Sequence, residues 1–154
     1  MDVHDKETRS YNMSCIKGKE TKPETVVRKY LFSKGFRYRK NDRRLYGTPD
    51  IVLPKYRTVI FVNGCFWHGH RGCRFFVWPK NNSEFWRNKI ETNIERDKRN
   101  IDLLIREGWR VIVIWECELK KDKAEGTLEK LCLMLDSCFD HNDEMETHFI
   151  NLKE

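Results

Sequence analysis

Cys65, His70 and Cys73 fall close together in Asn63-Gly64-Cys65-Phe66-Trp67-His68-Gly69-His70-Arg71-Gly72-Cys73, and Cys117 stands further along the chain. Three thiols and one imidazole make a closed tetrahedral donor set of the kind that holds structural zinc. Asp50, after Gly47-Thr48-Pro49, is a different kind of ligand. Carboxylates and carbonyls suit magnesium, whereas thiolates and imidazoles suit zinc. The soft cluster would shape the protein, and the hard carboxylate would do chemistry. His68 is not needed for the zinc set, and imidazole is the side chain suited to taking a proton near neutral pH. Each residue also has a plainer reading. Asp50 can be a turn residue, Glu24 a capping residue, His68 a surface histidine, and Phe66 and Trp67 ordinary core packing. Cys15, Cys132 and Cys138 lie outside the zinc geometry and read as inert thiols.

Topology must bring these groups together. Thr21-Lys22-Pro23-Glu24 has the form of a helix start, with Val26, Val27, Tyr30 and Leu31 as the apolar face and Gly35 as the stop. Phe36 to Arg39 alternates like a half-exposed strand. Ile51-Val52-Leu53 and Thr58 to Val62 flank Pro54-Lys55-Tyr56 and predict an antiparallel hairpin, which sets Asp50 beside Phe61 or Val62. Ser83 to Glu107 reads as a long helix capped by Ser83, with an apolar stripe of Trp86, Ile90, Ile94, Ile101, Leu104 and Ile105. Trp109 to Trp115 reads as a strand covered on both faces. A β-α-β unit follows, with parallel strands that aim Cys65 and Cys117 at the same sheet end. Asp97 falls inside the apolar stripe and predicts a polar partner, His70 or the N-terminal arm. Residues 124–138 suit a closing helix, and the residues beyond 140 are acidic.

Length and charge narrow the class. The 154 residues suffice for one domain with a core. No apolar run is long enough to cross a membrane and no signal-peptide core is visible, so an intracellular protein with reduced thiols is expected. Residues 1–57 carry a net charge of +8 and residues 58–154 one of −2. The basic front half favours a polyanionic partner, and ordinary surface solubility is the alternative. Residues 1–20 are polar and basic without apolar periodicity and read as an arm.

Several stretches resemble the very short patch repair endonucleases, bacterial enzymes that nick DNA beside a T·G mismatch. They are Asp2-Val3-His4-Asp5-Lys6, Thr8-Arg9-Ser10, Asn12-Met13, Gly47-x-Pro49-Asp50, Gly64-Cys65-Phe66-Trp67-His68, Asn93-x-Glu95-Arg96-Asp97, and Gly108-Trp109-Arg110-Val111 through Trp115-Glu116-Cys117. The resemblance implies an α/β restriction-endonuclease-like core: a mixed central sheet flanked by helices, with a structural zinc loop. It implies an N-terminal DNA-binding arm (1–20), an endonuclease domain (21–140) with a zinc-binding loop (63–80), and an acidic C-terminal tail (141–154). Asp50 and the Val62 backbone carbonyl would bind magnesium. His68 would activate water, and Glu24 would orient water or His68. Cys65, His70, Cys73 and Cys117 would hold zinc. Phe66 and Trp67 would wedge into DNA, the arm with Met13 would enter from the opposite side, and Lys89 and Asn93 would lie near the mismatch.

The implied partners are double-stranded DNA with a T·G mismatch and a functional link to a cytosine-5 DNA methyltransferase. The implied setting is the bacterial cytoplasm at the nucleoid. No membrane association is expected, and a monomer is, since no exposed heptad or self-pairing strand is visible. Two departures stand out. The strand after Asp50 lacks the second acid and the lysine usual in the wider nuclease superfamily. Asn63 occupies a position where some members carry histidine, which leaves the proton chemistry to His68. Two other readings stay open: a nicking or restriction-type endonuclease without a mismatch requirement, and a non-catalytic zinc-dependent DNA-binding module.

Overall fold

The structure, a computed structural model, describes residues 6–14, 20–137 and 149–151. Helix α1 spans Lys6–Ser14, so the segment read as an arm contains a helix. The side chain of Met13 lies outside the described residues, as do Cys15 and Cys138. Helix α2 (Lys22–Ser33) starts as its sequence predicts. The Thr21 hydroxyl accepts from the Glu24 N–H at 3.4 Å, and the chain turns away through Gly35 at φ +88°. Its buried face is Glu24, Val27, Arg28 and Leu31, a clean i, i+3, i+4, i+7 stripe. Val26, expected on that face, is 41% exposed.

Strand β1 is shorter and later than expected, at Arg39–Lys40. Strands β2 (Ile51–Leu53) and β3 (Thr58–Asn63) form the predicted antiparallel hairpin, with Ile51 opposite Ile60. A single 3₁₀ turn at Pro54–Tyr56 joins them and closes with Arg57 left-handed. Helix α3 (Ser83–Arg106) then crosses to β4 (Arg110–Trp115), which pairs with β3 in parallel from Thr58–Arg110 to Asn63–Trp115. Ser83 is not the cap of α3. That position belongs to Asn82, left-handed at φ 52°, with no side-chain cap bond. Helix α4 spans Ala124–Ser137, and β5 (Phe149–Asn151) adds to β4 in parallel. The region read as an acidic tail therefore supplies the last strand of a five-stranded sheet in chain order.

Alternation along the strands builds two apolar layers. Ile51, Leu53, Ile60, Val62, Ile112 and Ile114 face α2 and α4. Val52, Val59 and Val111 face Leu104 on α3, with Ile101, Ile105 and Trp109 beside them. A mixed sheet between helices on both faces is the restriction-endonuclease-like architecture, and its C-terminal rim collects the functional groups. No helix among the described residues is long and apolar enough to cross a membrane.

Candidate active site and metal centre

The hairpin puts Asp50 one residue before β2, opposite the end of β3. Its Oδ2 accepts the Val62 N–H at 2.7 Å. In an extended strand the N–H and C=O of one residue leave by the same edge, so the Val62 carbonyl faces the same side, past the end of β2. Glu24 arrives from the first turn of α2 and is 2% exposed. Its Oε2 accepts the Glu20 N–H at 2.8 Å and lies 3.5 Å from Nη1 of the buried Arg28. The Glu24 carboxyl is also the neighbouring acid of Asp50, and its charge opposes ionisation there. Burial, together with this neighbouring acid, pushes Asp50 up to about 7 against the opposing pull of the Val62 N–H. A partly buried Asp50 against the buried Glu24, beside an outward-facing carbonyl, suits a cation, and its all-oxygen donors fit magnesium.

His68 sits on the loop after β3, where its N–H closes a turn on the Gly64 carbonyl at 3.2 Å. Its Nδ1 is 2.5 Å from Asp97 Oδ2 on α3. With Nδ1 donating to that carboxylate, Nε2 is left to accept a proton. Asp97 thus has the polar partner its place in the stripe demanded, but the partner is His68 rather than His70 or the arm. The His68 ring is therefore paired with Asp97, and Glu24, expected to orient water or His68, stands beside Asp50. Asp50, Glu24, His68 and Asp97 all line one open cleft of about 1510 Å³. Lys22, Arg43, Lys89 and Arg96 bring positive charge to it.

Cys65, His70, Cys73 and Cys117 converge, with their ligand atoms all within 4.8 Å of one another. Cys117 Sγ lies 3.5 Å from His70 Nδ1. Two donors on one tetrahedral zinc, at ~2.3 Å for sulfur and ~2.0 Å for nitrogen, stand about 3.5 Å apart. Parallel pairing of β3 with β4 supplies Cys65 and Cys117, as topology predicts. Linked turns, His70 N–H to Cys65 carbonyl at 2.9 Å and Cys73 N–H to His70 carbonyl at 3.3 Å, supply the other two. The His70 ring stacks on Trp115, with centroids 4.0 Å apart and planes at 3°. Burial pushes the Cys65 thiol up to about 12 and the Cys117 thiol up as well. Thiolates in such a place need a cation, and the donor set fits zinc.

Phe66 and Trp67 ride on this loop, both partly buried. They meet edge to face with centroids 5.3 Å apart, and Trp86 of α3 contacts both, at 5.4 and 5.7 Å. Trp86, read only as part of an apolar stripe, is therefore a third member of the aromatic group. Asn93 is buried, and its amide donates to the Trp67 carbonyl at 3.0 Å, so it braces the aromatic loop. Lys89 is exposed at the cleft. Asn63 is buried at the end of β3 and lines the same cleft. Asp97 and Trp86 share one trait: helical spacing signalled where they sit, but not whom they meet, whereas Arg28 was missed because a charged residue interrupts the apolar pattern.

Residues 1–74 match the family model described as DNA mismatch endonuclease Vsr. The type II nicking enzyme V.NmeAIP of Neisseria meningitidis is 56% identical over 119 residues, covering 77% of this chain and 84% of that protein. The type II nicking enzyme V.XorIIP of Xanthomonas oryzae is 51% identical over 113 residues, covering 73% and 82%. The DNA mismatch endonuclease Vsr of Escherichia coli K12 is 47% identical over 119 residues, covering 77% and 76%. The span matched by the family model takes in Glu24, Asp50, Cys65, His68, His70 and Cys73. Identity on that scale over most of both chains places this one in the Vsr family of DNA endonucleases, the very short patch repair endonucleases.

Proposed function

We propose that this protein nicks one strand of double-stranded DNA beside a T·G mismatch, by magnesium-dependent hydrolysis, and so starts very short patch repair. The observation that carries the chemistry is the meeting of Asp50, Glu24 and the His68–Asp97 pair in one cleft that Lys22, Arg43, Lys89 and Arg96 also line. Asp50 and the Val62 carbonyl would hold magnesium, with water and phosphate oxygens completing a sparse protein shell. Bound there, the metal would stabilise the charge developing on the phosphate and the leaving oxygen. His68 takes the proton of the attacking water at Nε2, and Asp97 holds the ring in that tautomer. Glu24, pinned by Arg28 and the Glu20 N–H, keeps Asp50 in place.

Cys65, His70, Cys73 and Cys117 would hold zinc, which braces a long loop that has little regular structure of its own. From that base Phe66, Trp67 and Trp86 would wedge into a base step, and a T·G pair gives way more easily than a matched one. Lys89 would contact the DNA near the mismatch. The arm with Met13 would reach the opposite groove. A monomer acting in the bacterial cytoplasm, alongside a cytosine-5 methyltransferase whose deaminated product is the mismatch, completes the reading.

A second reading drops the mismatch requirement, and the likeness to type II nicking enzymes favours it. Matched and T·G duplexes of many flanking sequences, incubated side by side with and without magnesium, separate the two. Magnesium-dependent nicking confined to T·G duplexes is expected. Equal nicking of matched DNA would establish the second reading, and no nicking by a protein that binds both would leave a DNA-binding module.

A further inference from the structure

We propose that Arg43 grips a DNA phosphate at the rim of the cleft that holds Asp50, carried by a rigid loop built onto the backbone of Asp50. The inference rests on the DNA-endonuclease reading for the identity of its ligand. The loop between β1 and β2, residues 41–48, carries no zinc ligand, wedge aromatic or proton-transfer residue.

That loop is unusually constrained. Asn41, Gly47 and Thr48 all take left-handed backbone angles, at φ 46°, 73° and 48°. For a β-branched residue such as Thr48 this conformation is rare and persists only where the surroundings impose it. Both ends are tied. The Asn41 N–H donates to the Asp50 carbonyl at 3.2 Å. Gly47 lies so close to α3 that an added Cβ would stand 3.1 Å from Asn100. Between them, the Leu45 N–H donates to the Asp42 carbonyl and the Thr48 N–H to the Leu45 carbonyl, at 3.3 and 3.1 Å.

Two arginines sit at the tip, and they are not equivalent. Arg44 is committed to Asp42 through a two-pronged pair at 2.9 and 2.7 Å, and its backbone N–H donates to the same carboxylate at 3.0 Å. The Arg44 guanidinium holds the Asp42 carboxyl down at about 2, so both partners stay ionised at any working pH. Arg43 is exposed, makes no ion pair among the described residues, and lines the same cleft as Asp50. Asp42 thus cancels one charge of the doublet and leaves the other free. The cleft floor is acidic and must receive a polyanion, so a fixed cation at its rim has an evident partner in phosphate oxygens, which the planar guanidinium fork fits. Because Asn41 bonds to Asp50 itself, a phosphate held by Arg43 stands at a set offset from the reacting one. The contact would therefore fix register on the strand as well as affinity.

The test is equilibrium binding of a T·G duplex between 50 and 200 mM salt in magnesium-free buffer, for wild type, Arg43→Ala and the charge-neutral double variant Asp42→Asn with Arg44→Ala. Each phosphate contact contributes about 0.9 to the slope of log affinity against log salt. Arg43→Ala is expected to lower that slope by about 0.9 and to weaken binding roughly eight-fold at 0.1 M salt. The loss should be the same factor whatever base pairs flank the mismatch, and the double variant should keep the wild-type slope. An unchanged slope for Arg43→Ala, an equal loss in the double variant, or a loss that depends on the flanking pairs would each overturn the assignment. Binding is read without cleavage, so a wild type that binds but never nicks would sink the catalytic reading and leave this one standing.

Discussion

Replacing Asp50 by asparagine should make the magnesium-free protein more stable while stopping nicking. The carboxyl stands at about 7 because it is buried against Glu24, compared with ~3.9 for a free aspartate. A carboxyl whose value rises on folding is carried more easily in the folded state when protonated. The penalty is absent below pH ~4, grows as pH climbs, and is complete above about 7. At ~1.4 kcal/mol per pH unit the ceiling is on the order of 4 kcal/mol at pH 8, and relaxation and water in the cleft bring it nearer ~2. Asparagine keeps an acceptor for the Val62 N–H, which is 2.7 Å from Oδ2 in the wild type. It also offers Glu24 a donor in place of a second negative charge.

At roughly 3 °C per kcal/mol for a chain of this length, Asp50→Asn should melt about 6–12 °C higher at pH 8. About a third of that gain should remain at pH 5. Thermal unfolding followed by circular dichroism at the two pH values, with zinc retained, reads the difference directly. Added magnesium should then raise the melting temperature of the wild type and not that of the variant. A variant no more stable than wild type at pH 8, or one with the same gain at both pH values, would refute the account of the acid pair.

The His68–Asp97 pair predicts that Asp97→Asn slows nicking about 100-fold with DNA affinity unchanged, and a matching fall in affinity would count against an orienting role. Gly69→Ala should lower both melting temperature and nicking, because φ is +61° there and the new Cβ would lie 2.6 Å from Ile94 Cδ1; normal values for both would show that the loop between His68 and His70 can shift freely. Elemental analysis should find one zinc per chain, lost in Cys117→Ser together with cooperative melting of the loop region, and a metal-free wild type of full stability would contradict the zinc assignment. Trp67→Ala should reduce the preference for T·G over matched duplex more than it reduces affinity for matched DNA, and an intact preference would defeat the wedge.

Spacing and periodicity along the chain were enough to place the hairpin, the β-α-β unit and the meeting of Cys65 with Cys117, because strand pairing and parallel crossovers follow from local pattern and handed topology. They also brought Asp50 to Phe61 or Val62, since register about a three-residue turn leaves little room, and the Val62 N–H on Asp50 Oδ2 decides between the two. The partners of polar side chains were another matter. Asp97 was visible as an acid in an apolar stripe, yet only the rotation of α3 against the loop gave it His68 instead of His70. Arg28 occupies a perfect core position of α2, but an arginine breaks an apolar pattern, and the stripe was read through Val26 instead. Arg43 and Arg44 are indistinguishable in sequence, and Asp42 chooses between them only in space. The last strand could not be foreseen at all, because three residues at Phe149 have no pattern of their own and become a strand only against the open edge of β4. Local chemistry decides elements and their neighbours along the chain. Which buried charge faces which is settled only when the layers close, since pairing then is what offsets the loss of water.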